Sequence, residues 1–129
     1  MARFAGLWLP VLAFMAGVWF LSDHVSIDAP ELWSDKAAHF VAYGLFGLAN
    51  MRAFHGGLRR PEIWAALAAL GLTAGYGALD EWRQAGVEHR VASWGDWVAD
   101  AAGGAAAWAA LKVYPFRDRG RGRAREGEG

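Results

Sequence analysis

The chain contains no cysteine. Disulfides, zinc–thiolate centres and cysteine nucleophiles are excluded with it, and redox chemistry says nothing of the compartment. Net charge is also missing: 13 Lys and Arg balance 13 Asp and Glu, so any electrostatic message lies in where the charges sit. There is no Gly-x-Ser-x-Gly elbow, and no His-x-x-x-His or His-Glu-x-x-His pair to put two metal ligands on one helix face. What abounds is apolar and aromatic. A 55% hydrophobic composition with eight Trp and 17 Gly is too apolar for a typical small soluble domain and suits helices that pack in lipid. The 129 residues leave room for one domain.

Four hydrophobic segments can be marked: Phe4 to Leu21, Ala37 to Met51, Ile63 to Leu79 and Trp94 to Tyr114. The second holds His39, Tyr43 and Asn50, and the fourth holds Asp96 and Asp100. Their polar residues cluster at one end rather than in the middle, so all four are read as spanning. The expectation is an all-α integral membrane bundle of four transmembrane helices over residues 1–115, with a disordered Arg/Gly-rich tail over 116–129. A cleaved signal peptide is the other reading of the first segment. Its apolar core is longer than usual for that role, and no small-x-small cleavage site follows.

Charge distribution orients the bundle. Ten basic residues fall on one side (Arg3; Arg52, Arg59, Arg60; Lys112 and the five arginines after it) against Lys36, Arg83 and Arg90 on the other. The positive-inside rule therefore makes both termini cytoplasmic, with loops 22–36 and 80–95 outside. Trp33, Trp82, Trp94 and Trp97 are expected at outer interfaces, whereas Trp8, Trp19 and Trp108 read as core aromatics. In loop 22–36 a short helix after Pro30 rests Leu32 and Trp33 on the surface, before Ser34 or Asp35 caps the second span. The second span ends at His55-Gly56-Gly57, and Pro61 opens the third. The Arg-Gly tail invites an RNA reading. Without aromatic partners inside the repeat it is better taken as a topology signal touching anionic headgroups, and no nucleic acid partner is expected.

The outer ends carry a polar constellation. Lys36 lies beside a stripe of Asp35, His39 and Tyr43 on the second helix. Tyr76, Asp80, Glu81 and Gln84 end the third, and Ser93, Asp96 and Asp100 form a stripe on the fourth. Ionisable groups at membrane depth are costly and normally turn inward, pair, and mark a function. Plainer readings stand beside this one: Arg90 with Asp96 or Glu81 as a loop staple, Asp100 hydrogen-bonded to Tyr43 as a packing group, and His39 as a helix-end cap. The candidate binding residues are Lys36, His39, Tyr43, Glu81, Gln84, Arg90, Ser93, Asp96 and Asp100.

The series Asp35-Lys36-x-x-His39-x-x-x-Tyr43, Glu81-x-x-Gln84, Arg90, Ser93-x-x-Asp96 and Ala99-Asp100-x-x-Gly103 resembles the VanZ-like family. These are small bacterial membrane proteins named for an accessory teicoplanin-resistance protein of glycopeptide-resistance clusters. The likeness runs from Asp35 to Gly104, with two departures. Asp100 stands where many members have Asn, and Glu88-His89 stands where Pro-Gly commonly precedes the arginine. The resemblance implies a four-helix protein of the bacterial inner membrane with its motif residues at one membrane face. It implies no particular reaction.

Three functions fit these residues. The first is an envelope accessory protein binding an anionic or zwitterionic lipid or wall precursor, with Arg90 and Lys36 on a phosphate and Trp94 or Trp97 against an isoprenoid or sugar. The second is an intramembrane enzyme, a hydrolase or transferase with His39 and Glu81 as acid and base. Ser93 as nucleophile, or a metal at His39, Glu81 and Asp96, are variants of it without motif support, so neither a metal nor a cofactor is assigned. The third is a scaffold that packs on another membrane protein through Gly103, Gly104 and Ala107. A proton-coupled transporter needs more than four short helices unless the protein oligomerises.

Overall fold

Glycine supplies one helix stop in this chain, and an acidic residue acting across space meets one helix start. The computed structural model describes residues 2–24, 32–58, 60–86 and 93–114. Four helices account for nearly all of them: α1 (Ala2–His24), α2 (Leu32–His55), α3 (Ile63–Gln84) and α4 (Trp94–Val113). The described residues contain no strand. The all-α expectation holds. α2 ends where Gly56 takes φ +73° and the Gly57 amide returns to the Arg52 carbonyl at 3.0 Å. That is a Schellman stop, which only a residue without Cβ adopts cheaply. α2 begins earlier than expected. Helix runs unbroken through Ser34 and Asp35, so there is no separate surface helix at Leu32-Trp33 and no cap at Ser34 or Asp35. Pro61 likewise precedes α3 instead of opening it. Glu62, extended at ψ 151°, is the cap residue.

Contacts at the two ends set the topology. At one end Arg83 of α3 donates to the Trp19 carbonyl of α1, and Lys36 of α2 pairs with Asp96 of α4. At the other, Arg52 of α2 donates to the Gly6 carbonyl, and Arg60 donates to the Lys112 carbonyl. The helices therefore run up, down, up, down, with α2 and α4 parallel. Arg3, Arg52, Arg60 and Lys112 collect at the end opposite the acidic cluster.

α2 and α4 approach almost backbone to backbone. A Cβ on Gly103 would collide with the Phe40 carbonyl oxygen, and one on Gly47 would lie 2.9 Å from Gly104 Cα. Gly103, Gly104 and Ala107 are buried in this seam, so they are not the outward face that a scaffold role requires. The Gly71/Gly75 pair has the GxxxG spacing, yet a Cβ on either would meet nothing within 4 Å. Spacing alone does not choose a face. α1 packs more loosely, through Val11 and through Phe14 stacked on Phe46 at 4.4 Å. Tyr76 pins it by donating to the Met15 carbonyl at 2.6 Å. Tyr76→Phe should therefore cost about 1 kcal/mol, read as an earlier unfolding midpoint in mixed micelles. An unchanged midpoint would mean that this bond holds nothing.

Several carboxylates are buried beside the apolar core, while many large apolar side chains are exposed. Asp100 is 1% exposed, and Asp80, Glu81 and Asp96 are buried too. Phe20, Leu67, Val98 and many other large apolar side chains face outward. Arg3–Leu21 and Ile63–Gln84 are long and apolar enough to cross a membrane. α2 and α4 do not reach that apolarity, because the polar groups the bundle turns inward count against them. Length and composition thus support two candidate spans where four were expected. Trp82 and Trp94 are exposed, as an interface requires. Trp97 instead donates to the Ala74 carbonyl of α3. Trp19, read as core, is largely exposed and lies under Arg83. The Trp33 side chain, loop residues 25–31 and 87–92, and the tail beyond 114 lie outside the description.

Candidate functional site

The polar cluster forms where α2 and α4 begin and α3 ends. Each helix supplies one stripe. Helical spacing puts Lys36, His39 and Tyr43 on one face of α2, and Asp96 and Asp100 on the α4 face toward α2, with Ser93 in extended backbone just before α4. Because the two helices run parallel, the stripes pair in register. Lys36 Nζ lies 2.8 Å from Asp96 Oδ1, and one turn further His39 Nδ1 lies 2.9 Å from Asp100 Oδ1. The His39 ring also stacks on Tyr43.

α3 closes the third side. It continues past Leu79, as Glu81 and Gln84 require in order to share a face. Glu81 Oε2 accepts the Ser93 backbone amide at 2.8 Å. Ser93, the residue before α4, provides no side-chain cap, and its own amide is taken by a carboxylate from another helix. Gln84 donates to Asp80 Oδ2 at 2.9 Å, which fixes its amide within α3. Arg83 approaches Asp80 at 3.8 Å and covers the Trp19 ring at 3.7 Å.

Of the expected site residues, the structure brings together Lys36, His39, Tyr43, Glu81, Gln84, Ser93, Asp96 and Asp100. Ser93 enters through its backbone amide. Arg90 and the staples expected of it lie outside the described residues. Asp96 pairs with Lys36. Asp100 does not bond to Tyr43: His39 takes Asp100 Oδ1, while Asp100 Oδ2 and the Tyr43 hydroxyl are buried without a hydrogen-bond partner. Asp100 Oδ2 lies against Gly77, where a Cβ would stand 2.8 Å from it. The Tyr76 hydroxyl donates to α1, while its ring packs in the same buried cluster as Tyr43. Sequence reasoning missed the Arg83–Trp19 contact and the buried Asn50–Thr73 hydrogen bond of 2.9 Å. The Asn and Thr within apolar runs were the available signal for the second.

One more grouping crosses all three helices. His39, Glu81 and Asp96 each place a ligand atom within 4.8 Å of the others. The absence of paired-histidine spacing speaks only to ligands on a single helix and cannot see donors that converge from three.

Among the described residues, fold and site define a four-helix arrangement with a buried, largely acidic cluster at one end and many large apolar side chains exposed. No family model, curated protein or solved structure matches the chain.

Proposed function

We propose that this is a VanZ-like, multi-pass protein of the bacterial inner membrane, an envelope accessory protein whose buried polar end binds the headgroup of an envelope lipid or wall precursor. The observation that carries the reading is that ionisable groups are buried while large apolar side chains are exposed. Side chains of α2, α3 and α4 that could not face hydrocarbon are turned toward one another at a single end, while Leu, Val, Phe and Trp face out. With all four helices crossing the bilayer, the basic end is cytoplasmic and the cluster lies at the outer rim. The pairs Lys36–Asp96 and His39–Asp100 keep charge on α2 and α4 turned inward, so their lower apolarity does not bar them from spanning. A headgroup with both signs of charge suits a site that offers Lys36 beside several carboxylates, and Arg90 on the adjoining loop would add a phosphate fork. A link to glycopeptide resistance rests on the VanZ-like resemblance alone.

Native mass spectrometry of the protein released in lipid tests this. Lys36→Ala with Arg90→Ala should lower the retained envelope lipid about tenfold or more, the effect of losing charge-assisted hydrogen bonds. Unchanged retention would sink the reading. The His39–Asp100 bond and the nearby Glu81 favour an intramembrane hydrolase or transferase as the second reading, with His39 and Glu81 as acid and base. Under it, Glu81→Gln abolishes turnover of the lipid while leaving its retention intact.

A further inference from the structure

We propose that His39, Glu81 and Asp96 bind one divalent first-row transition-metal ion, with Zn2+ the best fit. Three donors within 4.8 Å of one another, one from each of α2, α3 and α4, approximate one face of a coordination sphere. Around a tetrahedral Zn2+ with bonds of about 2.0–2.2 Å, donors stand roughly 3.3 Å apart, so small side-chain rotations close the site. An imidazole with two carboxylates suits this class of ion better than the all-oxygen sets of Mg2+ or Ca2+. Three protein ligands also leave a coordination position open.

Two observations outside the cluster's composition point to a cation. The first is Glu81, which is 8% exposed. Its Oε2 takes the Ser93 amide, while Oε1 is buried and has no hydrogen-bond partner. A buried carboxylate oxygen without a donor is costly, and a bound cation removes that cost. The second is Asp100, whose Oδ1 engages His39 Nδ1 at 2.9 Å. A metal-binding histidine normally gives its other ring nitrogen to such a carboxylate, which fixes the ring and assigns ligation to Nε2. The site stands on this geometry without any lipid. Only one extension rests on the headgroup reading: the ion's open position would receive a phosphate oxygen, giving an acidic site its hold on an anion.

The test uses the full chain, purified in detergent without an affinity histidine tag and stripped with chelator, titrated with Zn2+ by calorimetry in the absence of lipid. One equivalent should bind and raise the melting temperature. Glu81→Gln and Asp96→Asn should each weaken binding by about tenfold or more. Glu81→Gln should melt like the parent when metal-free, since its amide oxygen still accepts from Ser93. Lys36→Met should bind more tightly, because the ammonium that competes for Asp96 is gone. No saturable Zn2+ binding, binding unaltered in Glu81→Gln, or a preference for Mg2+ would overturn the assignment. The two readings separate cleanly. Zn2+ binding without an effect of Lys36→Ala and Arg90→Ala on retained lipid leaves the metal site and removes the headgroup reading. Lipid retention without Zn2+ binding does the reverse.

Discussion

Gly103→Ala should lower the stability of the bundle by about 2–3 kcal/mol, a large effect for one methyl group. The new Cβ would collide with the Phe40 carbonyl oxygen, and it would stand 2.8 Å from the Gly44 nitrogen and 3.1 Å from the Phe40 carbonyl carbon. All three atoms are α2 backbone. A flexible side chain could swing aside, but a backbone inside a hydrogen-bonded helix cannot, so α2 and α4 must separate. The movement would reach the site, because Lys36–Asp96 and His39–Asp100 span the same seam within two turns of Gly103. Gly71→Ala is the control. Its Cβ meets nothing within 4 Å, and alanine's helix propensity should leave stability equal or up to about 1 kcal/mol higher. Unfolding titrations in mixed micelles measure both. Equal midpoints for Gly103→Ala and the parent would show that the helices are not this close.

His39→Ala should be nearly as damaging, at about 3 kcal/mol, for an electrostatic reason. Asp100 is 1% exposed and holds one hydrogen bond, from His39. Its other oxygen has no partner. Deleting the imidazole strands a carboxylate in the packed interior, with Tyr43 and Gly77 pressed against it. Adding Asp100→Asn to the His39→Ala protein should recover most of the loss, because a neutral amide of the same shape costs far less to bury. The double-mutant cycle decides the matter. Additive losses would mean that the two side chains are not coupled, and a harmless His39→Ala would mean that Asp100 finds another partner.

Local spacing made much of this legible. Positions three and four apart share a helix face, so the stripes Lys36–His39–Tyr43 and Ser93–Asp96–Asp100 could be drawn before any fold was known, as could the joint face of Glu81 and Gln84. The stop at Gly56 was equally local. Pairing was not. The plainer reading of Asp100 gave it Tyr43 as partner, whereas its partner is His39, because partner choice depends on the axial offset between α2 and α4. That offset is set by how deeply Gly103 and Gly104 let the helices sink together. The same contact explains why the GxxxG at Gly71 points away while glycines without that spacing form the seam. Trp19 was read as core for a related reason: its place is defined by a neighbour on another helix, Arg83. The Tyr76 bond to the Met15 carbonyl is likewise invisible in any local window.

The sequence by itself determined the helical class, the four elements, and which polar side chains would share a face, since all of these follow from composition and from a repeat of about 3.6 residues per turn. Tertiary structure alone decided which stripes face each other, which glycines are buried, and that an imidazole and two carboxylates from three helices meet within 4.8 Å. Those outcomes depend on helix depth and rotation, which are fixed by contacts between residues some 60 positions apart and are not encoded in any local window.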